Sequence, residues 1–137
     1  MLGVLLLCGC LAGCGSSSGP NLTGNWQFTL KSSVSGDTST GTASITQGGT
    51  VDSEGAGSRE RMLTGTMNLA DAPCATTASL SGTITGLNVI LTATEGGQAV
   101  SLTGNVNAAS TAMSGHYTAQ LGGCTAGDFG FWAASKS

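Results

Sequence analysis

The sequence predicts an all-β fold, specifically a single antiparallel up-and-down barrel of about eight strands. Three observations lead to this prediction. Apolar and polar residues alternate over much of the chain, which places them on opposite faces of β-strands. A short unit recurs five times, consisting of an apolar residue, Thr or Ser, Gly, any residue and a second apolar residue. No stretch after Cys14 shows the period of an amphipathic helix.

The alternation predicts each strand in turn. It is clearest over residues 22–31, where Trp26 and Phe28 share one parity and Gln27 and Thr29 the other. The same pattern predicts strands over residues 63–69, 80–85, 100–106 and 113–121, and weaker patterns predict strands near residues 40–47, 88–94 and 128–134. Short turn-rich segments separate these strands, as expected of an antiparallel meander.

The Gly of the recurring unit always falls on the apolar face of its strand. The five glycines are Gly24, Gly65, Gly82, Gly104 and Gly115. A missing side chain on the inner face lets a strand bend inward, which helps a sheet to close on itself. This favours a closed barrel. A β-sandwich of two sheets remains the alternative, because strand number and alternation are the same in both.

The inner face combines these glycines with further small residues, for which we predict Ala93, Ala119 and Ala133. An eight-stranded barrel is just wide enough to be filled by side chains or to hold one small ligand. Small linings therefore leave two outcomes: the barrel flattens until it packs, or a cavity remains for an apolar ligand. The bulky inward residues that would contact such a ligand are Trp26, Phe28, Met67 and Tyr117.

The first 13 residues are almost entirely apolar and end at Leu11-Ala12-Gly13-Cys14. The segment is shorter than the about 20 residues that span a bilayer, but it has the length of the apolar region of a signal peptide. No Lys or Arg precedes Lys31, whereas signal peptides begin with basic residues, so we expect the natural start to lie upstream of Met1. The motif resembles the lipobox of bacterial lipoproteins. The resemblance implies cleavage before Cys14 and acylation of Cys14, with chains such as palmitate anchoring the protein to a membrane.

The predicted domain organisation follows from this anchor. Residues 1–13 are a lipoprotein signal peptide, residues 14–21 are the lipidated Cys with a flexible Gly/Ser tether, and residues 22–137 are one β-barrel domain. Gly15 follows the anchor where lipoproteins of the inner membrane typically carry Asp. By this resemblance we expect a lipid-anchored protein of the bacterial cell envelope, in the outer membrane if the cell has one.

Gly24-Asn25-Trp26, on the first strand, resembles the Gly-x-Trp signature that opens lipocalin and avidin barrels. The resemblance implies a calycin-type barrel in which Trp26 closes one end. Lipocalins also set a basic residue of the last strand over this Trp, and the predicted last strand offers no Arg. Avidins follow the Trp with an Asn and surround biotin with further Trp residues. Here Gln27 follows and Trp132 is the other Trp, so biotin is not expected.

Cys74 and Cys124 are the cysteines left after the anchor, and two exported thiols most often pair. We therefore predict a disulfide between the middle of the chain and the last hairpin. A redox or metal site is the alternative, but neither Cys has a neighbouring Cys or His. No metal and no cofactor are predicted.

His116 is the sole histidine and the obvious candidate for a general base. Its parity places it on the polar face, and no motif marks a nucleophile or paired carboxylates beside it. We predict no catalytic residue and no enzyme, although a hydrolase dependent on His116 is the third hypothesis. Charge is concentrated between the second and third strands, at Asp52, Glu54, Arg59, Glu60 and Arg61. We interpret this segment as the longest loop, which is either a solvated connection or a partner-binding loop.

The chain carries only 4 Lys and Arg residues and a net charge of −3. It therefore lacks the basic surface that nucleic acid requires. The first hypothesis is a non-catalytic envelope lipoprotein that binds a small apolar ligand in a lipocalin-like barrel. The alternative is a cell-surface protein-interaction or inhibitor module with a filled barrel, whose loops and Thr-rich outer face make the contacts.

Overall fold

The computed structural model describes residues 19–50, 60–120 and 123–137. These residues form eight antiparallel strands: β1 (Gly24–Ser32), β2 (Thr38–Thr50), β3 (Glu60–Ala70), β4 (Thr76–Thr85), β5 (Asn88–Glu95), β6 (Gln98–Val106), β7 (Ala112–Ala119) and β8 (Phe129–Lys136). Each strand pairs with the next, and β8 pairs with β1. The predicted all-β barrel is confirmed, and the sandwich alternative is wrong because the sheet closes on itself.

Several predicted features lie outside the described residues. They are the signal peptide, Cys14 with most of its tether, Leu121, and the charged residues Asp52, Glu54 and Arg59. The prediction that Glu60 and Arg61 belong to the same loop is wrong, because both lie in β3, paired with Thr85 and Ile84 of β4. Within the described ranges, no helix has the length and apolar character needed to cross a membrane.

The predicted alternation is confirmed along most strands. In β1, Trp26, Phe28 and Leu30 are buried while the residues between them are exposed. The exception is β8, where we expected Ala133 inside and the structure buries Trp132 and Ala134 instead. The prediction for Ala133 is wrong because residues 129–134 are apolar or small at both parities, so alternation does not distinguish the two faces. The pairing register decides the matter, since Trp132 lies opposite the buried Leu30.

The inner-face glycines mark places where neighbouring strands touch. A Cβ at Gly65 would lie 1.8 Å from the carbonyl oxygen of Ser44 on β2, and one at Gly115 would lie 1.9 Å from that of Thr103 on β6. Both distances are far inside van der Waals contact. Similar approaches occur at Gly41, Gly82, Gly104 and Gly130. Four of the five predicted glycines therefore let the strands coil closely enough to close a narrow barrel, as the sequence predicts. The exception is Gly24, where a Cβ would meet only the side chain of Lys136.

Up-and-down topology sends alternate connections to opposite ends of the barrel. We call one the Trp26 end; it carries residues 19–23, the turn at Gly86 and Leu87, residues 107–111 and Ser137. We call the other the disulfide end; it carries residues 33–37, 71–75, 96–97 and 123–128. Gly96 and Gly97 both have positive φ, as the tight hairpin turn there requires.

Candidate functional site

The interior of the barrel is packed. The inward hydrophobic side chains form one cluster, and none of them is more than 6% exposed. A cavity large enough for a small ligand would leave accessible surface on the side chains around it. The buried residues show almost none, so of the two outcomes open from sequence the barrel has taken the packed one.

The four candidate ligand-binding residues all point into this core. Trp26, Phe28, Met67 and Tyr117 are each at most 1% exposed. Phe28 stacks on Trp132, with ring centroids 5.6 Å apart and planes 15° from parallel. The four side chains contact the protein's own core, and their role in binding a ligand stays a prediction.

Trp26 is buried where the N-terminal segment crosses the end of the barrel. Its indole Nε1 donates to the carbonyl oxygen of Leu22 at 2.8 Å. The ammonium of Lys136 lies 5.6 Å from the Trp26 ring centroid and donates to the carbonyl oxygen of Asn21 at 3.0 Å. The last strand thus does supply a basic residue over Trp26. The alternation did not predict this contact, because β8 continues past residue 134 to Lys136.

Polar contacts hold the N-terminal segment against the same end. The backbone N–H of Leu22 donates to Gln47 Oε1 at 2.9 Å, and Gln47 Nε2 donates to the carbonyl oxygen of Pro20 at 3.0 Å. Leu22 is fully buried. The chain is therefore fixed to the barrel from Pro20 onward, so an anchor at Cys14 would be connected close to the Trp26 end.

The predicted disulfide joins Cys74 to Cys124 at the opposite end. The two residues also pair as an isolated β-bridge, with Thr125 N–H donating to Pro73 O at 3.1 Å. Buried Ser39 supports the bridge, because its Oγ accepts from the N–H of Cys74 at 2.8 Å. The connection between β3 and β4 is thereby fastened to that between β7 and β8.

A buried polar cluster lies beneath this end. Asp128, only 3% exposed, accepts from the Tyr117 hydroxyl at 2.6 Å and from the Ser32 hydroxyl. Ser32 Oγ in turn accepts from the N–H groups of Val34 and Ser35. Burial is the main cause that raises the pKa of Tyr117 above its ordinary range, and the hydrogen bond to Asp128 and its charge add to it. Every member of the cluster has a hydrogen-bond partner. The cluster therefore links β1 and β7 to the segment that precedes β8, and its role is structural.

The outer face of β8 carries a patch of exposed aromatic residues. Phe129 and Phe131 are 51% and 58% exposed, and the His116 ring of β7 lies 4.7 Å from that of Phe131, centroid to centroid. Val34, 63% exposed, follows Ser33, whose N–H donates to Phe129 O at 2.8 Å. We call Phe129, Phe131, His116 and Val34 the aromatic patch. Phe129 and Phe131 share a face of β8 with Ala133. Because we predicted that Ala133 points inward, the sequence did not predict this patch.

His116 lies on the outer face, as its parity predicts. It contacts Phe131, and no hydrogen bond joins its ring to another described residue. No group of three or more His, Cys, Asp or Glu side chains suited to a metal ion occurs within the described part of the chain.

Comparisons with protein-family models, with curated proteins and with solved structures found no match for this chain.

Proposed function

We propose that this protein is a non-catalytic binding module of the bacterial cell envelope, anchored by lipid on Cys14, that recognises a partner protein with the outside of its filled barrel. The barrel fold by itself is compatible with ligand binding. The observation that carries the proposal is the contrast between a packed interior and an exposed aromatic patch. A folded chain gains nothing in its own stability from leaving two Phe rings in water.

The composition of the patch suits a protein interface. Aromatic side chains are enriched at interfaces, and a few of them supply most of the binding energy. Burying each Phe against a partner would stabilise the complex by about 1.5 to 3 kcal/mol. Exposed Lys31 lies directly opposite Phe131 in the β1–β8 pairing and adds a positive charge at the edge. The partner therefore has an apolar pocket bordered by acidic residues.

The position of the patch supports an envelope role. Phe131 lies five residues before Lys136 on β8, which places it roughly 17 Å from the Trp26 end. The chain leaves the barrel toward Cys14 at that end. An anchor there would turn the patch away from the membrane surface, toward neighbouring proteins of the envelope.

Site-specific crosslinking in the natural host tests the proposal. A photoreactive phenylalanine replaces Phe131 in the full chain, and the matched control replaces Ser81, which is exposed on β4 across the barrel. We expect an adduct with one protein from position 131 and none from position 81. Equal adducts from both positions, or none from position 131, would contradict the proposal.

A second measurement shows whether the patch carries the affinity. The crosslinked protein is purified, and its binding to the full chain is measured by calorimetry. Phe131→Thr should weaken binding by roughly tenfold or more, as expected for an interface anchor, whereas Ser81→Ala should leave it unchanged. Affinity unaffected by Phe131→Thr would rule out the aromatic patch as the interface.

A further inference from the structure

A groove crosses the outer face of β1, β2 and β3, and none of its lining residues belongs to the aromatic patch. Its volume is about 350 Å³, within the range of small-molecule sites. Its walls are polar side chains from three strands, and Ser137 closes one end. The wall residues are Asn25, Gln27, Thr42, Ser44, Thr66 and Asn68. We call this the amide groove.

The wall side chains form a regular grid. Strand pairing aligns Asn25 with Ser44 and Ser44 with Thr66 in one row. A second row aligns Gln27 with Thr42 and Thr42 with Asn68. Neighbours within a row lie about 5 Å apart and the rows about 6.6 Å apart, as strand geometry dictates.

Buried residues hold this grid from below. Trp26, Ala43 and Met67 alternate with the wall residues, pair with one another in the same register and point into the core. Ser137 fastens the edge of the groove, because its N–H donates to Asn25 O at 2.9 Å and its hydroxyl donates to the same oxygen at 3.1 Å. A backbone fixed in this way loses little freedom when a ligand binds.

The chemistry of the walls selects the ligand. None of the described lining residues has an ionisable side chain, so an anion or cation would find no side chain of opposite charge there. The carboxamides of Asn25, Gln27 and Asn68 each offer donors and acceptors, and within the described chain none of them is engaged in a side-chain hydrogen bond. An apolar ligand would remove these groups from water without replacing their hydrogen bonds. A neutral ligand rich in hydroxyls, each both donor and acceptor, would satisfy them.

The surface continues this character beyond the groove. A second, shallower depression of about 180 Å³ shares Gln27 and runs on between Thr29, Ala133 and Ser135 of β1 and β8. Together the two depressions cross four strands, a distance of about 14 Å. That length suits a chain of sugar units better than a single sugar.

We propose that the amide groove binds a neutral glycan chain, held by carboxamide and hydroxyl side chains of β1, β2 and β3. This activity is separate from protein recognition through the aromatic patch and uses different residues, so either proposal can fail without the other. In an envelope protein, the two surfaces would join a protein partner to a polysaccharide.

Titration calorimetry with two probes tests the proposal on the full chain, kept in a detergent without a sugar headgroup. Chitohexaose represents N-acetylated glycans and cellohexaose represents plain glucans. We expect saturable binding of at least one, and the preferred probe identifies the source. Gln27→Ala and Asn68→Ala should each weaken it by roughly five- to tenfold, as expected for a lost carboxamide contact.

The matched control is Asn105→Ala, an exposed amide on β6 outside the groove, which should bind as the wild type does. The altered side chains are exposed, so unchanged unfolding midpoints should accompany all three variants. The proposal is overturned if neither probe binds, if both groove variants bind normally, or if Asn105→Ala loses as much affinity as they do. A photoreactive residue at Thr42 that captures a protein in the host would overturn it in favour of a protein ligand.

Discussion

The hydroxyl of Tyr117 donates a 2.6 Å hydrogen bond to the carboxylate of Asp128, beneath the disulfide end of the barrel. Both residues are at most 3% exposed. A buried carboxylate is costly unless donors surround it, and here Tyr117 and Ser32 supply them. The pair joins the last connection of the barrel to its wall.

From this pair we predict that the folded protein loses stability at alkaline pH. In the unfolded chain Tyr117 ionises near its ordinary value of 10.0, while burial and Asp128 raise the pKa in the fold. Above pH 10 the folded state therefore holds more protons than the unfolded state, so the free energy of unfolding falls as pH rises. Urea unfolding from pH 8 to 11 measures this slope.

Tyr117→Phe is the matched variant for that experiment. It should be less stable at pH 8 by about 1 to 3 kcal/mol, because Asp128 loses a donor. Its deficit relative to the wild type should shrink above pH 10, since Phe does not titrate. Parallel pH profiles for the two proteins would show that Tyr117 is not held protonated by the fold.

We expect one methyl group added at an inner-face glycine to lower the stability of the fold substantially. In Gly65→Ala the new Cβ would lie 1.8 Å from Ser44 O, so β2 and β3 must move apart. We expect a loss of about 1 to 3 kcal/mol, the range for overpacking. Gly49→Ala, which meets nothing within 4 Å, is the control and should change stability by less than about 0.5 kcal/mol. Equal effects in urea unfolding would argue against close strand contact.

We expect the disulfide to stabilise the fold by a comparable free energy, because it restricts the conformations of the unfolded chain. Cys74 and Cys124 are separated by 50 positions, and closing such a loop stabilises by about 4 kcal/mol on the chain-entropy model. The double variant Cys74→Ala/Cys124→Ala should lower the free energy of unfolding by that order, and a reductant should then have no further effect on it. Identical stability with and without reductant in the wild type would mean that the bridge is absent.

We expect substitution of Lys136, at the Trp26 end, to have a smaller effect on stability. Lys136→Ala removes the cation over the indole and the hydrogen bond to Asn21, at a cost of about 1 kcal/mol. In a Trp132→Phe background, the emission of Trp26 should also shift to longer wavelength as water reaches the ring. Lys31→Ala, on the exposed face of β1, should alter neither quantity. A shift in both variants would exclude a specific contact.

Much of the barrel could be predicted from sequence, because burial of one face imposes a two-residue period that Trp26, Phe28 and Leu30 make plain. The disulfide followed from the shortage of other cysteines. The aromatic patch could not be predicted, since Phe131 and Trp132 are both apolar neighbours and only the pairing with Leu30 decides which of them is buried. The amide groove depends on the register of three strands, which alternation within a single strand does not define.

Recognition through the outside of the barrel depends on a filled interior, and binding of an apolar probe tests directly whether the interior is filled. Titration of the wild type with the fluorescent probe 1-aminoanthracene should give no saturable binding and no change in Trp emission. Phe28→Ala should open a cavity in the same core, at a cost of about 3 to 5 kcal/mol, and should bind the probe. Saturable one-to-one binding to the wild type, lost when Met67→Trp fills the interior, would show that the barrel is hollow and would favour a small apolar ligand.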